Sequence, residues 1–368
     1  MDRLREQAAE GHMSRTSVGV AFVGGKAYIT TDTRAFMKSQ YSRRNVIAHL
    51  ALFRAMSEIF GAEIPDAELV VSVTDEPWIL KSGSNESSPP LPVVRYCKSR
   101  SFSDILAPNI HFFTQSYADD ILAKVDKVNR EWPWDARNAS LYGRFSPYDR
   151  LVNPLAPEQR RQGFGGVDLC TNSSEGLPHL RSCPVRSHFI QDWAPGAVGQ
   201  GAPLDVDLRN FRPMLHHAHY KWLLNLDGVA CTARLEQLLG LGGMVVKEES
   251  GFYGFYYPLL QPHVHYKPFW RQGPEEVLDV LSWAARHDAE AAAIGARAQA
   301  FAQTYLHTRA LVCYWFTIIK ELSALLRYRP GPAAGLRAYP HWTPVDEFME
   351  EEGDRTIKQA KFELRFWD

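Results

Sequence analysis

The sequence predicts an α/β protein, and three observations carry that prediction. Strand-like and helix-like segments alternate in both halves of the chain, which suits layers of sheet and helix rather than an all-α or all-β fold. Lys221–Phe269 reads as a buried strand, an Asp-Gly turn, a helix, a second strand and a third apolar run. Behind it come three amphipathic segments, Pro274–His287, Ala289–Tyr305 and Thr308–Arg327, whose apolar stripes mark core-facing helices.

From the N-terminal side, Val18–Val23 and Lys26–Thr31 alternate apolar and polar residues around Gly24-Gly25, a hairpin signal. Ser42–Phe60 carries Val46, Ile47, Leu50, Phe53, Met56, Ile59 and Phe60 on one helical face. Glu68–Thr74 (ELVVSVT) is a β-branched strand stopped by Asp75-Glu76-Pro77. A carboxylate at the C-terminal edge of a buried strand is placed to face a ligand. The bland reading of Asp75 is a turn-forming Asp ahead of Pro. Leu91–Cys97 is a further strand, Ser103–Leu106 a short turn or helix, and Ala118–Asn129 a polar helix. In LYGRFSPYDR, Arg144 and Arg150 fall in a turn-rich context, where two guanidiniums can clamp a phosphate or simply make surface salt bridges. Glu158–Gln200 is rich in Gly, Ser, Pro and Arg, and reads as an inter-domain connection or an excursion loop.

Within Lys221–Phe269 the strand is Trp222–Leu226 and the helix about Thr232–Leu241, followed by the strand Met244–Lys247. Strand, tight turn and helix start form a place where backbone N–H groups can face an anion. Arg234 in the first helical turn adds positive charge, so the stretch reads as a diphosphate site.

At 368 residues the chain can hold two domains with separate cores. A formal net charge of −1 gives nucleic-acid binding no electrostatic support. No apolar run is long enough to span a bilayer. MDRLREQAAEGHM lacks the apolar core of a signal peptide, which leaves a cytosolic protein or one whose leader or anchor is missing from this form. Asn85-Glu-Ser87, Asn138-Ala-Ser140 and Asn172-Ser-Ser174 are N-glycosylation sequons, and Cys170 and Cys183 have a spacing a disulfide can close. Both favour a secretory-pathway lumen. Cys97, Cys231 and Cys313 lie in apolar or helical contexts and read as buried thiols.

The ordered motifs KWLLNLDGVACTAR, GGMVV and FYYPLLQPHVHYKP resemble the signature of glycosyltransferase family 90, which includes the Rumi-type protein O-glucosyltransferases and the capsule-associated xylosyltransferase group. Weaker likeness extends through DAELVVSVTDEP, VVRYCKSRSFSDIL, EWPWDARNASLYGRFSPYDR and CYWFTIIKEL. The resemblance implies a GT-B architecture of two Rossmann-like lobes with a nucleotide-sugar cleft. Residues 1–138 would form the acceptor and base lobe, 139–329 the nucleotide-sugar lobe, and 330–368 would pack back on the first. It implies an inverting, metal-independent transfer of glucose or xylose from a UDP-sugar donor to a protein Ser/Thr or a glycan. No cofactor follows from it, and the setting implied is the endoplasmic reticulum or Golgi lumen. Asp75 matches the family's general base. Val229, Ala230, Cys231, Thr232, Ala233 and Arg234 match the donor-binding turn and helix start, and Arg150 matches a donor-binding Arg. Arg144 stands where the animal enzymes have Ser, Asp227 where they have Arg, and His263 where Trp is usual.

Two rival readings stand beside this one. His216, His217, His219, His263 and His265, or Asp205-Val206-Asp207, have residue types that bind metals, without an accompanying HExxH or CxxC motif. A family member that has lost catalysis and serves as a UDP- or glycan-binding or chaperone-like protein is the other.

Overall fold

The computed structural model describes residues 16–81, 92–114, 117, 121–172, 180–332 and 341–355. Its mixed α/β chain separates into two compact units, one of 1–96, 102–116 and 308–368, the other of 97–101 and 117–307.

In the first unit β1 (Ser17–Val23) and β2 (Lys26–Ile29) form the antiparallel hairpin, turned by Gly24-Gly25 with φ of 56° and 78°. The helix α1 (Gln40–Phe60) starts where the Ser39 hydroxyl accepts from Ser42 N–H at 3.3 Å, an N-cap of the preferred type. β1 also pairs antiparallel with β3 (Ala67–Ser72), and β3 pairs in parallel with β4 (Val93–Arg95). Ile105–Leu106 extends this sheet beside β4 as a short parallel strand. That corrects the turn or helix read over Ser103–Leu106, because pairing with a distant edge, and not local pattern, set its conformation. The helix Thr308–Leu325 packs on β3, and its Trp315 meets Phe53 of α1 at 5.3 Å between ring centroids. Of the tail, Thr343–Pro344 pairs with β2, Trp342 stacks on Tyr28, and Asp354 bonds Arg54 at 2.9 Å. Phe362 and Trp367, like the Asn85 sequon, lie outside the described residues.

The second unit is built on five parallel strands: β5 (Asn138–Phe145), β6 (Leu204–Leu208), β7 (Tyr220–Asn225), β8 (Met244–Glu248) and β9 (Lys267–Phe269). Their order across the sheet is β6-β5-β7-β8-β9. β8 is buried along its whole length, as a strand covered on both faces must be, hence its unbroken apolar start. A short helix α2 (Arg234–Leu239) follows β7. The helices α3 (Glu276–Arg286) and α4 (Asp288–Tyr305) follow β9, and α4 packs on β8 and α2. In this order the chain runs outward from β5 to β6, then returns past β5 to β7. The gap between the C-terminal ends of β5 and β7 is therefore the topological switch point, where open parallel sheets bind ligands.

The irregular region Glu158–Gln200 belongs wholly to this second unit and connects no domains. It contributes to a three-stranded antiparallel sheet in which Arg181–Cys183 lies between Arg150–Val152 and Thr171–Asn172. It then adds the helical pieces Val185–Ser187, His188–Trp193 (π) and Ala194–Gly199. Phe189 packs on Trp270 at 5.7 Å between centroids, so long-range aromatic contacts order a segment of loop-like composition. A disulfide joins Cys170 and Cys183. A second joins Cys97 and Cys231, and Cys313 is exposed. The reading of these three as buried thiols is corrected: apolar context shows that a cysteine is buried, but pairing across 134 residues is a tertiary outcome.

Candidate active site

The candidate site begins where β5 and β7 end. Phe145, the last residue of β5, is fully buried, and two guanidiniums lie over its ring: Arg234 at 4.7 Å and Arg186 at 5.2 Å from the centroid. Gly143 makes room for that ring, since a Cβ there would come within 2.5 Å of it. Arg186 spends its donors on three carbonyls that end the two strands: Ser146 O at 3.0 Å, Leu226 O at 3.0 Å and Asp227 O at 3.1 Å. A Cβ on Gly228 would lie 3.1 Å from Arg186 Nη2, so glycine lets the turn close over the guanidinium. None of these contacts neutralises charge. The Arg234 Nη1 atom is buried without a hydrogen-bond partner. Burial, and then Arg186 beside it, push the Arg234 guanidinium down to about 9; burial pushes Arg186 down to about 10. Two guanidiniums, Arg186 buried and Arg234 half-buried, thus lie over one ring, and among the described residues neither is hydrogen-bonded to a carboxylate, an arrangement that suits an anion.

The turn from Leu226 to Ala233 is held mostly from inside. Asp227 is buried, and its carboxylate accepts from Thr232 N–H at 3.0 Å and from the Ser250 hydroxyl. Gly228 N–H bonds Ala230 O at 2.9 Å, Cys231 N–H contacts Cys97 Sγ at 3.1 Å, and Arg234 N–H contacts the Thr232 hydroxyl at 3.3 Å. Several N–H groups expected to face an anion are thus already used. The helix is also shorter than the predicted Thr232–Leu241, so its dipole contributes little and the positive field comes from side chains. Ala230 and Cys231 are buried, while Val229, Thr232 and Ala233 are half-buried along the turn.

Arg150 and Arg144 do not join this pair. Arg150 is fully buried and bonds both oxygens of Glu248, at 2.5 and 2.8 Å, while Arg161 approaches the same carboxylate at 3.3 Å. Arg144 is a strand residue of β5 rather than a turn residue. It bonds the Asp205 carboxylate at 2.5 Å and Asp205 O at 2.7 Å. Asp205 also accepts from the Tyr220 hydroxyl at 2.7 Å, so the carboxylate of the Asp205-Val206-Asp207 pattern is engaged by protein donors. His217 and His219 lie in a 3₁₀ turn, Met214–His219, and not on a strand. Burial, and then the nearby Arg234, lower His217 to about 3, so it is neutral. Among the described residues no three His, Cys, Asp or Glu side chains are grouped to hold a metal ion.

In the first unit Asp75 follows β3, half-buried. Its Oδ1 accepts from the Tyr96 hydroxyl at 2.5 Å and the Tyr41 hydroxyl at 3.3 Å. Burial and then the Asp75 charge raise both phenols, so both remain donors at neutral pH. The loop is fixed by Arg95, fully sequestered, which bonds Ser72 Oγ at 2.9 Å, Thr74 O at 2.6 Å and Glu76 O. Asp104 accepts from Trp78 and Ile79 N–H at 3.0 and 2.9 Å. With both phenols on Oδ1, Oδ2 is the oxygen left to take a proton. A small cavity beside this loop is lined by Tyr41, Tyr96, Asn109 and His111.

Sequence reading missed Arg186, Tyr41, Tyr96 and Arg95. Arg186 lies in RSCPVRSH, where no periodicity or motif marks it, and the tyrosines reach Asp75 only through the fold. Arg95 carried one signal, a charged residue inside an apolar strand pattern.

Fold and site define a class: an α/β protein with two guanidiniums gathered at the switch point of a parallel sheet. The family profile described as glycosyl transferase family 90 matches residues 4–151 and 206–339, and the chain belongs to that family. It is a glycosyltransferase. Human protein O-glucosyltransferase 1 is 25% identical over 319 residues, covering 83% of this chain and 73% of that protein. The Aedes aegypti O-glucosyltransferase rumi homolog is 26% identical over 278 residues, 72% of this chain and 63% of that one. Human protein O-glucosyltransferase 3 is 23% identical over 284 residues, 75% and 50% respectively. The crystal structure of Anabaena Alr3699/HepE in complex with UDP-glucose covers 55% of this chain and 53% of that chain, at 14% identity and a TM-score of 0.30. Likeness at that level does not define a shared fold.

Proposed function

We propose that this enzyme transfers a sugar from a UDP-sugar to a hydroxyl with inversion, without a metal, as a GT-B glycosyltransferase. The observation that carries the reading is the Arg186–Arg234 pair at the switch point, two cations with no bonded acid among the described residues and one buried, unpartnered Nη1. A diphosphate supplies the missing charge. As the bond from C1 to the diphosphate oxygen breaks, UDP leaves with the electron pair, and the guanidiniums offset the growing charge without reorganising. Asp75 is assigned the other half of the balance: its Oδ2 takes the acceptor's proton while the acceptor oxygen bonds to C1. Val229, Ala230, Cys231, Thr232 and Ala233 line the donor turn, and Arg150 and Arg144 support it indirectly by holding Glu248 and Asp205. Glucose as the sugar and a protein Ser/Thr as the acceptor are supported by the names of the relatives, with xylose and a glycan acceptor as the competing choices. Two disulfides support an oxidising compartment, the endoplasmic reticulum or Golgi lumen.

The test is Asp75→Asn. We expect turnover with UDP-glucose and a Ser/Thr acceptor peptide to fall by ~10²–10⁴-fold, with UDP affinity by calorimetry unchanged. Retained turnover would remove Asp75 from the base role, and transfer that requires an added divalent ion would remove the metal-independent reading.

A further inference from the structure

The turn from Leu226 to Ala233 is also held from outside, by a short ribbon of the second unit. Residues 97–101 belong to that unit although the chain on either side of them belongs to the first. Within them Lys98–Ser99 pairs antiparallel with Phe252–Tyr253, Ser99 opposite Phe252. Polar side chains anchor this strand. The Glu158 carboxylate accepts from the Ser99 hydroxyl at 2.6 Å and from Ser101 N–H at 2.9 Å, and Gln159 Nε2 donates to the Ser99 hydroxyl at 3.0 Å. Two strands of two residues have little stability of their own, so these contacts keep the ribbon in place.

Each strand of the ribbon reaches the turn. Cys97, just before Lys98, is joined by the disulfide to Cys231 inside the turn, and both cysteines are buried. On the other strand Ser250 stands two residues before Phe252. Its hydroxyl donates to the Asp227 carboxylate and accepts from Phe252 N–H at 3.2 Å. Asp227 also accepts from Thr232 N–H, so Asp227, Ser250, the ribbon, Cys97 and Cys231 form one closed clamp around the turn. Arg234 follows Cys231 by three positions, and the helix it begins has only six residues, too few to order the turn alone. A turn held in its binding shape beforehand has less freedom left to lose when a ligand arrives. We propose that the Cys97–Cys231 disulfide is a positioning element for the donor's diphosphate, keeping the turn and Arg234 in the arrangement that receives it. The inference rests on the donor reading above. The two sulfurs are bonded to each other, so they act through the turn and take no part in the chemistry.

The test compares the unmodified protein with Cys97→Ser/Cys231→Ser, and with Ser250→Ala, which opens the clamp and leaves the disulfide in place. Affinity for UDP and for pyrophosphate is read by calorimetry, kcat and KM with UDP-glucose, and hydrogen exchange of the 226–234 amides without ligand. We expect the double variant to bind both probes about tenfold more weakly, since the turn must then be ordered on binding. KM for UDP-glucose should rise by the same factor with kcat within about twofold, the pattern of lost uniform binding. The Cys231 and Thr232 amides should exchange at least about tenfold faster. Ser250→Ala should move the same quantities in the same direction by about threefold. A disulfide that only stabilises the fold would lower the urea midpoint and leave both affinities and these two amides unchanged, which overturns the proposal. If the unmodified protein binds pyrophosphate but not UDP, the nucleotide reading falls, and weaker pyrophosphate binding by the double variant still supports the clamp. Binding of neither probe overturns both. Should the double variant fail to fold, Ser250→Ala decides alone.

Discussion

Two arginine pairs stand in the second unit and differ in their electrostatics. Arg150 and Arg161 converge on Glu248, whose two oxygens accept both. Arg186 and Arg234 converge on the Phe145 ring; Arg186 donates to carbonyls, with the Asp227 carboxylate acting on it without a hydrogen bond, and among the described residues Arg234 has no bonded acid. Burial pulls all four guanidiniums down, but Glu248 outweighs it at Arg150, which ends above its ordinary value, while Arg234 falls to about 9. The comparison teaches that burial of an arginine is no sign of function. The informative feature is whether the fold supplies its counter-charge, because a cation left without one is retained for a ligand or is simply a cost.

Breaking the satisfied pair should give the largest effect. Glu248→Gln removes the carboxylate that Arg150 and Arg161 share and should cost ~3–5 kcal/mol of stability, seen as a lower midpoint in urea unfolding. A variant of unchanged midpoint would show that the buried pair contributes nothing. Next in size, Arg234→Met should lower turnover ~10²–10³-fold, the scale of removing one transition-state charge donor, without lowering the unfolding midpoint. Loss of stability with normal turnover would make the two pairs equivalent and sink the distinction.

The smallest effect concerns pH. The folded value of Arg234, about 9, lies below its unfolded value, so the unfolded chain binds more protons between the two. Ligand-free stability from this group is therefore full above the unfolded value and is lost as pH falls through about 9. At neutral pH the charge is a cost. Anion binding has the opposite sign, since it needs the cation: sulfate should raise the melting temperature at pH 7 and progressively less above pH 9, its affinity falling about tenfold per unit. A sulfate effect independent of pH up to 10 would place the anion elsewhere.

Much of this was legible in the residues themselves. The ELVVSVT strand ending at Asp75, the Gly24-Gly25 hairpin, the long helix through Phe53 and the strand–turn–helix at Trp222–Arg234 all follow from local periodicity and turn chemistry. Those signals depend on neighbours a few positions apart, which is why single-chain reading reaches them. The Asp75 loop was visible as a carboxylate after a strand, but its two phenol donors were not. Asp227, a departure from the family pattern in the sequence, is buried and accepts from Thr232 N–H and the Ser250 hydroxyl.

By itself, then, the sequence determined the α/β layering, the position of the turn after β7 and the acid after β3, because periodicity and turn residues act locally. Only the tertiary structure decided which arginines are neutralised, that Cys97 and Cys231 pair, and that Arg186 joins Arg234. Those outcomes depend on burial and on partners 48 to 134 positions away, and a charge's worth is set by what surrounds it in space.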